Sequence, residues 1–111
     1  MVMETPDRGD LVYVNFDPQA GHEQRGRRPA IVMSPKEFNK VTKFASLCPI
    51  TNTSRGWGFE VSLPDDSVFT GVILTDQFRN LDWSASDIQI KGQAPEDIVQ
   101  ECIEKIHTFL S

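Results

Sequence analysis

Gly9-Asp10-Leu11-Val12-Tyr13-Val14-Asn15-Phe16-Asp17-Pro18 holds the first β-strand signal of the chain. Leu11 to Phe16 is rich in β-branched and aromatic residues and is bounded by Gly9-Asp10 and Asp17-Pro18, so it reads as a strand closed by turns. With a period of two, Phe16 falls on the same face as Val12 and Val14.

Working outward, Gln19 to Arg28 holds Gly21, Gly26 and three arginines without apolar periodicity, and reads as a long loop of the kind that carries function in a compact domain. Ala30-Ile31-Val32-Met33 follows as a continuous apolar run, fitting a strand buried on both faces. Ser34 as N-cap, Pro35 at the first helical position and acid in the first turn predict a short helix. Phe44 to Ile50 predicts a third strand, closed by the polar cluster Thr51-Asn52-Thr53-Ser54-Arg55-Gly56, a second candidate functional loop. Phe59, Val61 and Leu63 alternate with Glu60 and Ser62 in a half-buried strand, and Gly71 to Leu74 and Asp87 to Lys91 supply further strands. Pro95-Glu96-Asp97 opens a helix with an apolar stripe of Ile98, Val99, Cys102, Ile103, Ile106, Phe109 and Leu110. Short strands, a long early loop and one terminal amphipathic helix describe a small, strongly curved antiparallel β-barrel with a helix packed on it.

At 111 residues the chain is expected to form a single domain, 1–111, around one core. No run is apolar enough for a signal peptide or a membrane span, so a cytoplasmic location is expected. Cys48, in a strand-like run, and Cys102, on a helix face, lack metal or redox spacing and read as reduced core residues.

The net charge of −5 argues against a nucleic-acid binder, because phosphate contacts need Lys and Arg. The distribution reverses that inference. Residues 1–55 carry eight basic against six acidic side chains, whereas 56–111 carry three against ten. A local basic face is therefore compatible with an acidic protein.

Two histidines and two cysteines, with no HxH, HExxH or CxxC, make a protein-bound catalytic metal improbable, and nothing suggests a cofactor. Arg, Thr, Asp, Gln and one loop His remain. Such groups suit a reaction in which the substrate brings its own nucleophile and the protein supplies charge stabilisation and proton transfer.

Gly9 to Pro18, then Gly21-His22-Glu23-Gln24-Arg25-Gly26-Arg27-Arg28-Pro29-Ala30-Ile31-Val32 and Ser34-Pro35, resemble the opening motif of the MazF/PemK toxins in order and spacing. Phe38-Asn39, Pro49-Ile50-Thr51, Gly58-Phe59 and Gly71-Val72 to Asp76-Gln77 continue the match over about residues 9–91. The resemblance implies an SH3-like barrel of the CcdB/MazF type, a homodimer and a MazE-like antitoxin partner with an acidic tail. It implies cleavage of single-stranded RNA to a 2′,3′-cyclic phosphate and a 5′-hydroxyl. Attack by the ribose 2′-OH explains why RNA is cut and why no metal-bound water is needed.

By motif, Arg28 stabilises the crowded phosphorane and Thr51 hydrogen-bonds the phosphate or the leaving oxygen. An Arg pKa above about 12 makes electrostatic clamping, rather than proton abstraction, the better role for Arg28. The PemK branch points instead to His22, Asp76 and an Arg two residues before that Asp, where this chain has Leu74. Weight therefore moves to Arg28 and Thr51, with Glu23 as a base or as the group that orients Arg28. Phe16, Gln24, Arg25, Arg55, Trp57 and Gln77 are candidates for RNA binding.

A structural role stands beside each functional one. Arg28 could pair with Glu23 or Asp76 at a barrel rim, Thr51 could satisfy turn backbone, and Phe16 and Trp57 could belong to the core. A gyrase-poisoning toxin of the CcdB type and a catalytically silent binding barrel are the alternative functions on the same fold.

Overall fold

The computed structural model describes residues 4–16 and 27–110. Asp10–Asn15 forms β1, Arg27–Val32 β2, Phe44–Thr51 β3, Glu60–Ser62 β4, Val72–Leu74 β5, Arg79–Asp82 β6 and Gln89–Gln93 β7. Two α-helices, α1 (Lys36–Thr42) and α2 (Glu96–Leu110), and two single-turn helices at Thr75–Gln77 and Trp83–Ala85 complete these elements.

Every pairing is antiparallel, in the order β4-β5-β3-β2-β1-β7, with β6 also on β3. One long strand makes the curvature. The free edge of β3 pairs with β6 through Phe44 to Leu47 and with β5 through Ile50 and Thr51, so the sheet turns a corner along β3. Pro49 lies between those two pairings, at a position that cannot donate to the ladder. The end strands β4 and β7 do not pair with each other, so the barrel expected from sequence is a strongly curved, open one.

Residues directly opposite on paired strands share a face, and the two faces of this sheet hold two cores. Leu11, Ile31, Cys48, Ile50, Val61 and Ile73 pack with Val99, Cys102 and Ile106, the buried stripe of α2. On the other face Val12, Val14, Ala30, Val32, Ala45 and Leu47 pack with Leu81, Trp83 and Ile88. Ala30, Ile31 and Val32 are completely buried, as a run with no polar alternation requires. Both cysteines are free and buried in the α2-side core, where loss of hydration pushes the Cys48 thiol pKa well up and that of Cys102 to about 12.

Three local expectations need correction. Ser34 does not cap α1: Pro35 holds the cap position without a side-chain bond. The Ser34 hydroxyl instead donates to Asn39 Oδ1 at 2.6 Å and accepts from the Ser46 amide at 2.8 Å, while Asp7 accepts the Lys36 amide at 2.9 Å. Arg27 and Arg28 already belong to β2 rather than to the loop before it. Arg79–Asp82, read as no element, is a strand on β3.

Candidate functional site at the open end of the sheet

Arg28 is exposed, the first residue of the β2 alternation Arg28, Ala30, Val32 to emerge from the core. The β2–β3 register Ala30↔Pro49, Ile31↔Cys48 and Val32↔Leu47 ends at Ala30 and Pro49, and Thr51, two residues beyond Pro49, pairs with Val72 of β5. Val14 flanks Arg28 on its other side. By strand alternation from Ala30 and Pro49, Arg28 and Thr51 fall on one face, at the ends of neighbouring strands. Thr51 is half-buried, and its oxygen accepts the Thr53 amide at 3.2 Å. That is the turn-satisfying role, and it leaves the hydroxyl proton free to be donated elsewhere.

Phe16 stays on the Val12–Val14 face, half-buried against that core. Its ring lies 5.1 Å from the Arg79 guanidinium, and Arg79 Nη2 donates to the Phe16 carbonyl at 3.4 Å. Arg79 pairs with Leu47 and so shares the face of Ala45 and Leu47, hence that of Arg28 and Thr51. Sequence reasoning missed Arg79 because the strand carrying it was unread. Its signal was its rarity, one of three basic residues after position 55.

The loop between β3 and β4 carries Arg55 and Trp57. Trp57 is 51% exposed, not a core residue, with the Arg55 guanidinium 5.5 Å from its ring. Glu60 orders this loop by accepting from Ser54 Oγ at 2.6 Å and from the Arg55 amide at 2.8 Å. These bonds, the Ser54 hydroxyl first, hold the Glu60 carboxyl below the usual range. A depressed carboxylate pKa means that the loop's order is present at neutral pH and is lost as acid protonates Glu60. Acrylamide quenching of Trp57 is expected to change at a midpoint below the ordinary glutamate value. Glu60→Gln should erase that acid transition, and an unchanged titration in the variant would assign it to another group.

Asp76 and Gln77 are exposed on the turn after β5. Leu74 is buried and opposite Glu60. Arg28, Thr51, Phe16 and Arg79 therefore share one face of the sheet. His22, Glu23, Gln24 and Arg25 lie outside the described residues. Among the described residues, no three His, Cys, Asp or Glu side chains gather as metal ligands, and Lys105–Glu101 is the one ion pair.

An exposed guanidinium beside a hydroxyl donor, with a second guanidinium stacked on a nearby ring, is suited to a polyanion carrying bases. Residues 7–110 match the family described as PemK-like, MazF-like toxin of type II toxin-antitoxin system. The chain is 44% identical over 94 residues to the endoribonuclease toxin MazF of Escherichia coli strain K12, with 84% of each chain covered. A crystal structure of MazF from Deinococcus radiodurans superposes with a TM-score of 0.87 at 44% identity, covering 97% of this chain and 98% of that one. A MazE-MazF structure from the same organism gives 0.87 at 38% identity, covering 98% of both. A match over nearly the whole length, on a sheet of the same shape, leaves one conclusion: the chain belongs to the PemK-like, MazF-like toxin family of type II toxin-antitoxin systems.

Proposed function

We propose that this protein is an endoribonuclease toxin that cleaves single-stranded RNA at the Arg28–Thr51 site. What supports this reading is an exposed arginine and a half-buried threonine at the ends of neighbouring strands, on the face that also holds Phe16 and Arg79. Relatives named as endoribonucleases favour RNA cleavage over gyrase poisoning.

In the proposed reaction the ribose 2′-oxygen attacks the adjacent phosphorus while losing its proton, and the bond from phosphorus to the 5′-oxygen breaks. The products are a 2′,3′-cyclic phosphate and a 5′-hydroxyl, which receives a proton. The nucleophile is intramolecular, so the protein must position the sugar-phosphate and neutralise the charge that builds on the non-bridging oxygens. Arg28 fits the second task with planar, paired donors. Thr51 is placed to donate to the phosphate or to the leaving oxygen. Glu23 and His22 are the candidates for proton transfer, Asp76 is a further one, and no metal takes part. Phe16, Gln24, Arg25, Arg55, Trp57 and Gln77 contact the RNA strand.

The protein works as a homodimer and is held inactive by a MazE-like antitoxin, whose acidic tail competes with RNA for the basic residues Arg25, Arg27, Arg28 and Arg55. Complexes of MazE with MazF among the similar structures support that partner. Phe38, Val41 and Phe44 are exposed together on α1 and the start of β3 and offer an apolar surface to a second copy.

Incubation of the purified protein with a long single-stranded RNA in EDTA, followed by mapping of 5′-hydroxyl ends, tests the reading. Discrete cuts that survive chelation are expected. Intact RNA, or cutting that chelation removes, would overturn the activity or its metal independence, respectively.

A further inference from the structure

On the opposite face of β1 from Phe16, Tyr13 collects two cations from two different strands. The Arg27 guanidinium lies 5.4 Å from the Tyr13 ring centroid and the Lys91 ammonium 6.0 Å from it. Phe69 packs edge-on against the same ring at 4.9 Å, fixing its orientation, and Gln89, directly opposite Tyr13, accepts a hydrogen bond from Arg27 Nη2. The Arg27 Nε is buried without a hydrogen-bond partner, so the guanidinium is incompletely satisfied. Among the described residues no carboxylate pairs with either cation.

Two cations that no carboxylate among the described residues neutralises lie around one half-buried aromatic ring and attract an anion, and aromatic stacking with cationic contacts is how single-stranded nucleic acid is held without a sequence code. Arg27 and Arg28 are chain neighbours on a strand, with Cα atoms about 3.8 Å apart and side chains on opposite faces. An RNA strand gripped at Arg28 that continues over the β1–β2 end of the sheet therefore brings its neighbouring phosphates within reach of Arg27. A carboxylate-rich peptide would match the charge but would not use the ring.

We propose that Tyr13, Arg27, Gln89 and Lys91 form a second nucleic-acid contact, separate from the cleavage site, that holds phosphates of the single-stranded RNA flanking the cut. The inference rests on the proposed ribonuclease reading and assigns a route to the strand on either side of the scissile bond. Arg27 and Lys91 act as phosphate contacts, and Tyr13 as the platform between them.

The test measures binding of a fluorescein-labelled, 2′-O-methylated single strand, which cannot be cut, to the full-length protein and to Lys91→Gln, Tyr13→Leu and the pair Arg27→Gln/Lys91→Gln. Lys91 is exposed, so its variant folds whatever Tyr13→Leu does. Lys91→Gln is expected to weaken binding several-fold and to lower the slope of log affinity against log salt by about 0.7, the value for one contact on a single strand. The double variant should lose about twice that slope. Unchanged affinity and slope in Lys91→Gln and in the double variant, with wild-type protein that binds and cuts RNA, would overturn the second contact alone. Wild-type protein that neither binds nor cuts would overturn this inference together with the ribonuclease reading. An acidic peptide that loses affinity for Lys91→Gln while the RNA does not would reassign the site to a protein partner and so reject the RNA proposal.

Discussion

Arg28→Ala is expected to lower the RNA cleavage rate by at least about 10²–10³-fold, the loss seen when one preorganised donor to a developing oxyanion is removed. In free energy that is about 3–4 kcal/mol of transition-state stabilisation. The fold should not register the change. Arg28 is exposed and sits at the end of a strand whose core contacts come from Ala30, Ile31 and Val32, so the circular dichroism spectrum and urea midpoint should match the wild type. Arg28→Lys keeps the charge but loses the paired planar donors, and its rate should fall between the two. Thr51→Ala should slow cleavage as well. Because the two act on the same phosphate in the proposed reaction, the double variant should lose less than the product of the two single losses. An Arg28→Ala protein that cuts at the wild-type rate would remove the site from this face of the sheet.

Which residues meet was only partly legible in the chain. β1 and the apolar half of β2 were readable because composition alone sets them: β-branched and aromatic residues between turn residues in one, an unbroken apolar run in the other. The stripe of α2 was readable for the same reason, with Val99, Cys102 and Ile106 buried as its period demands. The shared face of Arg28 and Thr51 was not. It is a consequence of register between strands joined through α1, and register is fixed by long-range packing of the two cores rather than by local pattern.

Other misreadings share that cause. Ser34 has the sequence context of a helix cap, yet its hydroxyl is taken by Asn39 and by the Ser46 amide across the fold. β6 contributes one buried apolar residue, Leu81, too little for periodicity to show, and exists because β3 offers it an edge. Trp57 would be core by composition alone, but the Glu60 carboxylate shapes a loop that leaves it outside, stacked with Arg55.

Gly71→Ala is expected to damage both the fold and the site, through a contact that no motif announces. Gly71 has φ of +108°, and an added Cβ would meet the Thr51 carbonyl oxygen at 2.2 Å, its carbon at 2.8 Å and Asn52 Oδ1 at 2.9 Å. The first two are backbone atoms of β3, which cannot swing aside as a flexible side chain can. Backbone strain of about 1–2 kcal/mol and overpacking of about 1–3 kcal/mol add to a stability loss of about 2–5 kcal/mol. A lower urea midpoint with an unchanged slope should report it. Relief of the clash must move the end of β3, and Thr51 is that end. A displacement near 1 Å at a positioned reactive group can cost about 10²-fold in rate, so the protein that remains folded should also cut RNA more slowly. Gly56→Ala separates strain from collision: φ there is +72°, but nothing lies within 4 Å of the added Cβ. It should carry the strain alone and lose less stability than Gly71→Ala. Equal losses in the two variants would show that the approach of Gly71 to Thr51 is not what holds this corner of the sheet in place.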